Sequence, residues 1–249
     1  MSKAAELANL IGNINAGGGG VNRNVIINGA MNVAQRSTSE TGLGSSGGYF
    51  VCDRWNMASG NTDGRLTMSQ DSSVPTGEGF ANSLKLACTT ADTSIAAAEN
   101  LVIQQKFEGQ NLQSFAKGTS GAKPFAVSFY VKGNGNATYM CELRDRDNDR
   151  HNTQQFAVTS SWNRIELTFS ADTTGAFDDD NASSLELRFW LHAGSDYSGG
   201  SYTANTWAST TNANRAVGIS SFFSSTDNTF FITGVQLEVG QNPTEFEHE

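Results

Sequence analysis

Apolar and polar residues alternate with a period of two in several separate segments, as they do in strands with one buried face. The clearest case is Phe125, Val127, Phe129 and Val131, which alternate with Ala, Ser, Tyr and Lys. The same alternation marks five further segments: 83–88, 139–143, 165–169, 185–191 and 235–239. Residues 24–29 are predicted as one more short strand, which ends at an Asn-Gly turn.

Polar turns separate these segments, and no helical pattern of the length needed for a βαβ crossover lies between them. We therefore predict an all-β fold, an antiparallel β-sandwich of the jelly-roll type preceded by a short N-terminal helix and a glycine-rich linker. Residues 37–48 and 193–215 are predicted as long surface loops, and loops of that length are usually functional or ordered by a partner.

The predicted helix covers residues 2–14, with a flexible run of four glycines at 17–20 after it. Its apolar residues have the spacing of one helix face: Leu7, Leu10, Ile11 and Ile14. A helix this short is marginal alone in water, so it packs either on its own domain or on another protein. We favour the second alternative, with an anchor and linker at residues 1–21 and one β-sandwich domain at residues 22–249.

Composition and charge disfavour several classes of function. The chain of 249 residues has a formal net charge of −9, which disfavours binding to nucleic acids or to anionic membrane surfaces. No stretch approaches the roughly 18 apolar residues of a membrane span, and no apolar core of a signal peptide follows Met1. The three cysteines, Cys52, Cys88 and Cys141, lie far apart and are predicted as buried free thiols.

Two motifs near the start of the predicted sandwich carry a family resemblance. Residues 24–36, NVIINGAMNVAQR, are followed by residues 49–55, YFVCDRW. Together they resemble the opening of tail-fibre and other appendage proteins of tailed-phage virions. Residues 232–240 and 243–247 resemble the closing strand of the same family, and residues 125–131 and 161–164 resemble carbohydrate-binding-module-like jelly rolls.

The resemblance implies a structural protein of the virion, assembled in the host cytoplasm, that forms a homotrimer and attaches to capsid or tail proteins through its N-terminal segment. Such proteins occur as tail fibres and as head or tail decorations. The sequence has no pattern of a coiled-coil or β-helical shaft, so we expect a compact decoration or short appendage. Attachment to the particle is then expected to use Leu7, Leu10, Ile11 and Ile14.

Charged residues within the motifs have a structural interpretation. Arg36 and the pair Asp53 and Arg54 stand beside apolar residues at the start of the domain. A guanidinium and a carboxylate there can form a bidentate pair that fixes the N-terminal segment to the sandwich. The alternative is that they contact a ligand.

Two acidic segments are candidates for a metal site. Residues 144–150 place carboxylates at alternate positions, but the glycine and glutamate that an EF-hand loop needs are missing, so we predict a charged hairpin tip. Asp178, Asp179 and Asp180 form a second cluster, predicted as a solvated turn. Carbohydrate-binding jelly rolls often hold a structural calcium in such a loop, which makes these three aspartates weak calcium candidates. No other cofactor is predicted.

A glycan or partner surface is the main candidate for binding. Four residues share one face of a predicted strand by period-two counting: Glu186, Arg188, Trp190 and His192. This face either is exposed and stacks on a sugar or packs on a neighbour or a loop. The 193–215 loop adds Tyr197, Tyr202 and Trp207 among small polar residues, a composition typical of recognition loops and also of subunit interfaces.

No catalytic pattern is visible. The three histidines are scattered, and the sequence contains no G-x-S-x-G elbow and no Ser-His-Asp order. We therefore expect a non-enzymatic surface decoration or short appendage of a virion. The alternative is a tail fibre or receptor-binding protein that recognises a host surface glycan, and a glycan-degrading enzyme is a distant third.

Overall fold

The computed structural model describes Lys3 and residues 24–248, and within them the chain is almost entirely β-structure. The strands are β1 (Ser39–Leu43), β2 (Asn56–Gly60), β3 (Arg65–Asp71), β4 (Ser83–Thr90), β5 (Asn100–Glu108), β6 (Phe125–Gly133), β7 (Ala137–Asp145), β8 (Arg150–Val158), β9 (Asn163–Phe169), β10 (Ser183–Ala193), β11 (Ala208–Ser209) and β12 (Thr229–Val239). One short helix, α1 (Ser195–Ser198), and four single 3-10 turns complete the described elements: Gly109–Asn111, Gln113–Phe115, Asn212–Asn214 and Phe222–Ser224.

The strands form two six-stranded sheets whose strand pairs are all antiparallel. Sheet 1 has the order β1-β3-β4-β12-β6-β9, and sheet 2 has the order β11-β8-β7-β10-β5-β2. Between β4 and β12 the chain passes repeatedly from one sheet to the other, and the longest strands, β10 and β12, lie inside their sheets. This arrangement confirms the predicted antiparallel β-sandwich of the jelly-roll type.

The hydrophobic core lies between the two sheets and is rich in phenylalanine. Phe129 of β6 contacts Phe189 of β10 edge-to-face, with ring centroids 4.9 Å apart, and Phe156 of β8 in the same way at 5.1 Å. All three rings are buried. Such aromatic pairs add roughly 0.5–1.5 kcal/mol each to the stability gained from the area that they bury. These contacts therefore stabilise the packing of one sheet on the other.

Six of the predicted strand segments lie within observed strands, and the strand predicted at residues 24–29 is wrong. There the Asn24 side chain accepts hydrogen bonds from the backbone N–H groups of Ile26 and Leu237, at 3.0 and 3.1 Å. A side chain thus replaces part of a strand ladder, as Asn commonly does in turns. Residues 27–30 form the predicted turn.

The predicted loop at residues 37–48 also contains β1, which pairs with β3 at the edge of sheet 1. The Thr67 hydroxyl donates to the Thr41 hydroxyl at 3.0 Å across this pair. The short strand escaped prediction because its residues are all exposed except Leu43, so the segment shows no apolar alternation. Residues 193–215 likewise contain α1 and β11.

The predicted anchor helix, the glycine run and the four attachment residues Leu7, Leu10, Ile11 and Ile14 lie outside the described residues. Of the helix segment, Lys3 alone is described. Among the described residues no helix is long and apolar enough to cross a lipid bilayer.

The three cysteines are free and buried, as predicted. Burial raises the pKa of the Cys52 thiol to about 12, with a further contribution from the nearby Asp53 charge. Burial also raises the pKa values of Cys88 and Cys141. These thiols therefore behave as small apolar core residues at neutral pH.

Candidate functional site

The face of β10 that was predicted as an exposed glycan platform is buried. A bulge between Trp190 and His192 places His192 opposite the core residue Leu101, so the buried His192 ring lies on the core side of the strand. Glu186, Arg188 and Trp190 do share the other side, but the most accessible of them, Arg188, is only 9% exposed. Residues 194–221, which we call the covering loop, pack over this side of sheet 2. The prediction of an exposed platform is therefore wrong, and its alternative, a face packed against a loop, describes the structure.

A buried carboxylate fastens the covering loop to sheet 2. Glu142 of β7 accepts hydrogen bonds from Arg215 of the loop at 2.7 and 2.9 Å and from the Trp190 indole at 2.7 Å. Burial alone would raise the pKa of the Glu142 carboxyl, but the Arg215 guanidinium holds it well below its usual range. The Arg188 and Arg215 guanidinium groups lie over the Trp190 ring, at 5.1 and 4.9 Å from its centroid.

The aromatic side chains of the covering loop, Tyr197, Tyr202 and Trp207, contact other residues of the protein. The Tyr197 ring packs at 5.1 Å from Trp190, and the Tyr202 hydroxyl accepts a hydrogen bond from the Gln155 backbone at 3.0 Å. The Trp207 indole donates to the Ser170 carbonyl at 2.7 Å. All three residues are half-buried, so their rings and polar ends hold the loop in place instead of forming an open recognition surface.

His192 connects Ser221 of the covering loop to a buried glutamate. Its Nδ1 lies 2.8 Å from the Ser221 hydroxyl, and its Nε2 lies 2.9 Å from Glu99. A serine, a histidine and a carboxylate in a row also occur in hydrolases. Here, however, the imidazole is completely buried and packs edge-to-face against Phe223 at 5.3 Å. We assign this chain of hydrogen bonds to fastening the covering loop.

The charged hairpin at residues 144–150 is confirmed as the turn between β7 and β8, but one of its carboxylates is buried. Asp145 lies 2.5 Å from the ammonium group of Lys117, which also lies 3.2 Å from Asp172 and donates to the carbonyls of Thr174 and Gly175. The Lys117 nitrogen thus lies at the centre of a cluster of oxygens, and Lys117 together with Arg150, which binds Asp172, neutralises the two aspartates.

Asp178, Asp179 and Asp180 form an exposed turn before β10, as predicted. Asp180 accepts a hydrogen bond from the Ala182 backbone, and the Asp178 backbone N–H donates to Asp147. Across the part of the chain that the structure describes, no group of three or more His, Cys, Asp or Glu side chains is arranged to hold a metal ion.

An open pocket lies where the two N-terminal motifs meet strand β5. We call it the Tyr49 pocket, and it has a volume of about 320 Å³. Its wall includes Arg36, Tyr49, Arg54, Lys106, Glu108 and Ser183. Ligand sites in proteins usually measure roughly 300–1,000 Å³, so this pocket is large enough for a small ligand or one unit of a polymer.

Asn28 of the first motif brings the two motifs together to form this pocket. Its side-chain amide donates to the carbonyls of Val33 and Asp53 at 2.9 and 3.0 Å, and its carbonyl oxygen accepts from the Val33 backbone at 3.0 Å. The Trp55 indole donates to the Asn28 backbone carbonyl at 3.1 Å. Residues 28–36 and 49–55 thereby form one unit at the edge of the sandwich.

The predicted ion pair within the motifs is present in a weaker form. Arg36 Nη1 lies 3.1 Å from Asp53 Oδ1, a single contact at the surface and not a bidentate pair. The same guanidinium lies over the Tyr49 ring, 5.7 Å from its centroid. Tyr49 is 43% exposed, which makes it one of the few large exposed rings in the described chain.

Sequence reasoning missed Lys106 and Ser183 as members of this site. Both lie on strands of sheet 2, far from the motifs along the chain, and neither belongs to a recognisable pattern. Arg36 and Arg54 could be found because they belong to the motifs, and Tyr49 begins the second motif.

A second cavity of about 380 Å³ lies on sheet 1 beside the C-terminal segment. Its aromatic rings are already engaged with one another, since Phe80 packs edge-to-face with Tyr130 and Phe246 at 5.4 and 5.1 Å. The Tyr130 hydroxyl donates to Glu78 at 2.7 Å. Its rings and polar groups are thus less available to a ligand than those of the Tyr49 pocket.

The fold and this pocket define the class of the protein: an antiparallel jelly-roll β-sandwich with a ligand-sized pocket at its N-terminal edge. No family model matches the chain, and no curated protein matches it.

Among solved structures, the enzymatically active domain of tailspike protein 4 from bacteriophage CBA120 matches 87% of this chain with 13% identity and a TM-score of 0.43. The chain spans about a fifth (21%) of that structure. A family 4 carbohydrate-binding module matches 86% of this chain and 99% of its own length, with 12% identity and a TM-score of 0.42.

The TmCBM61 module in complex with β-1,4-galactotriose matches 87% of this chain and 99% of its own length, with 9% identity and a TM-score of 0.38. Similarities this low carry no argument about function. The assignment to a β-sandwich rests on the strand order and pairing themselves.

Proposed function

We propose that this protein is a non-enzymatic surface protein of a tailed-phage virion and that it binds a glycan of the host surface through the Tyr49 pocket. The observation that carries the glycan part is the exposed Tyr49 ring at the wall of an open pocket whose other lining residues, apart from Phe107, have polar side chains that donate or accept hydrogen bonds. The motifs at residues 24–36, 49–55 and 232–247 support the virion part, because they resemble virion appendage proteins.

A pocket of this composition suits a sugar. Sugars present apolar C–H faces and a rim of hydroxyl groups, and an exposed aromatic ring covers such a face while polar side chains bond the hydroxyls. Arg36 and Asp53 fix each other, and Arg36 in turn lies over Tyr49. The pocket is thus partly preorganised, which lowers the entropic cost of binding.

The experiment for glycan binding uses the full chain on an array of bacterial surface oligosaccharides, together with two variants. Tyr49→Ala removes the ring, and Ile95→Ala is the matched control because Ile95 is equally exposed, at 44%, but lies outside the pocket. We expect the wild type and Ile95→Ala to bind the same glycan and Tyr49→Ala to lose it. Absence of glycan binding, or equal binding by Tyr49→Ala, would overturn the proposal.

The second candidate is a decoration protein without a receptor, which the resemblance also allows. The copy number of the chain in purified virions distinguishes the two, measured by quantitative mass spectrometry against the major capsid protein. A few tens of copies or fewer support a tail or vertex appendage. A simple fraction of the capsid copy number supports a head decoration. Turnover of the bound polysaccharide would contradict the non-enzymatic role.

A further inference from the structure

We infer that the Tyr49 pocket selects an anionic sugar, one that carries a carboxylate or a phosphate group. This inference rests on the proposed function, because it names the chemical class of ligand for the same site. The observation behind it is a local excess of positive charge in an acidic protein: the chain has 16 Lys and Arg against 25 Asp and Glu, yet three cations and one carboxylate line this pocket.

Two of the three cations have no partner among residues 24–248. Arg36 is paired with Asp53. Within residues 24–248, the exposed side chains of Arg54 and Lys106 form neither an ion pair nor a hydrogen bond. Glu186 lies opposite Lys106 in the β10–β5 ladder, but it is already paired with Arg188 at 2.9 Å.

The carboxylate of the wall is also engaged. Glu108 Oε2 accepts a hydrogen bond from the Gln110 side chain at 2.8 Å, and its single negative charge leaves the three cations of the wall in excess. The pocket therefore presents two guanidinium groups and an ammonium group, of which Arg54 and Lys106 are available to a ligand. A neutral sugar would leave both cations without a counter-charge, whereas an anionic sugar supplies one.

The backbone conformation of Arg54 also bears on its role in the pocket. Its φ angle is +71°, in the left-handed region that residues other than glycine adopt at a cost of roughly 1–2 kcal/mol. Its neighbours Asp53 and Trp55 are held by hydrogen bonds to the first motif, so the chain cannot relax there. Glycine would avoid this strain, so the arginine keeps its cationic side chain at the pocket at a cost in backbone energy.

Ser183 supplies a further polar group. Its hydroxyl oxygen is buried at the pocket and has no hydrogen-bond partner among the described residues. A buried hydroxyl without a partner costs free energy, but this oxygen is closed to solvent, so a ligand oxygen can bond it only after the side chain turns towards the pocket. The pocket thus combines a ring for the sugar face, two unpaired cations and an unpaired hydroxyl.

The test compares glucuronate and galacturonate oligomers with neutral oligomers of glucose and galactose, which share their ring stereochemistry, and with a glycerol phosphate oligomer. Affinities are measured by calorimetry at increasing sodium chloride concentration. We expect acidic oligomers to bind more tightly than neutral ones and to weaken as salt rises. Binding of the uronates identifies a carboxylate as the recognised group, and binding of the glycerol phosphate oligomer identifies a phosphate.

Two variants locate the charge, Arg54→Gly and Lys106→Gln. Glycine accommodates the left-handed backbone, so Arg54→Gly removes the cation without disturbing the fold. Each variant should weaken acidic ligands by about tenfold, since a charge-assisted hydrogen bond is lost. Lys123→Gln, half-exposed and outside the pocket, is the control and should bind normally.

The outcomes separate this inference from the proposed function. If neutral oligomers bind as well as acidic ones and depend on Tyr49 but not on Arg54 or Lys106, the anionic selectivity is wrong and glycan binding stands. If no oligomer binds here and the array shows no binding that depends on Tyr49, both are wrong.

Discussion

The Lys117 ammonium group lies 2.5 Å from the Asp145 carboxylate, and neither side chain has any exposed surface. Lys117 also contacts Asp172, which Arg150 binds at 2.8 and 3.1 Å. The cluster ties together the segment after β5, the β7–β8 hairpin and the segment after β9. Buried ion pairs of this kind are costly to break, because the remaining partner keeps its charge in a medium of low polarity.

We predict that Lys117→Met lowers the free energy of unfolding by roughly 3–5 kcal/mol, measured by urea denaturation at neutral pH. The matched control is Lys85→Met, which breaks the partly exposed pair of Lys85 with Asp71. The control should cost no more than about 1 kcal/mol. If both variants lowered the free energy of unfolding by a similar amount, the larger contribution expected of the buried cluster would be wrong.

Glu142→Gln should destabilise the protein most strongly at neutral pH, because it leaves Arg215 without its buried counter-charge and leaves Arg188 with Glu186 alone. The expected loss at pH 7 is roughly 3–5 kcal/mol. The folded pKa of Glu142 lies below the ordinary value of 4.5. The stabilisation by the ionised carboxylate is therefore fully present above about pH 4.5 and declines as the pH falls towards the folded pKa.

The stability difference between wild type and Glu142→Gln should accordingly narrow below pH 4.5. Denaturation curves across the acid range measure this difference. A gap that stays constant down to the lowest accessible pH would show that the ionised carboxylate is not the source of the stability.

The three cysteines should resist thiol reagents in the folded protein. The pKa of Cys52 is about 12 and the pKa values of Cys88 and Cys141 are raised, so the reactive thiolates are scarce at neutral pH. We expect negligible reaction with a disulfide reagent before unfolding and three equivalents of reaction after it. One thiol that reacts rapidly in the native protein would contradict this description of the core.

Asn28→Gly should loosen the Tyr49 pocket. Asn28 has a left-handed φ of +58°, which glycine adopts without strain, so this variant removes the three side-chain hydrogen bonds and spares the backbone. We expect a loss of roughly 1–3 kcal/mol in unfolding free energy and weaker glycan binding. Asn28→Ala adds backbone strain and should cost more. Unchanged binding by Asn28→Gly would mean that the pocket does not depend on the junction of the motifs.

Local patterns predicted the sandwich well and its polar sites poorly. The alternation from Phe125 to Val131 follows directly from one buried face, which is why β6 was found. Glu186, Arg188, Trp190 and His192 show the same alternation, but Trp190 and His192 find their partners far along the chain, in Glu142 and Glu99, 48 and 93 residues away. A periodic pattern depends only on the polarity of each residue. It gives no information about a partner elsewhere in the chain that allows a polar residue to be buried.

The edge strands of the two sheets determine whether neighbouring copies of this protein can pair through their β-strands. At one edge, β11 has only two residues; at another, β1 carries an irregularity between Glu40 and Leu43. At a third edge, β9 carries the paired charges of the half-buried Arg164 and the exposed Glu166. Short, irregular or charged edges resist pairing with the strands of another molecule. Copies held close together on one surface, as the proposed virion role requires, would therefore not join through these edges into aggregates.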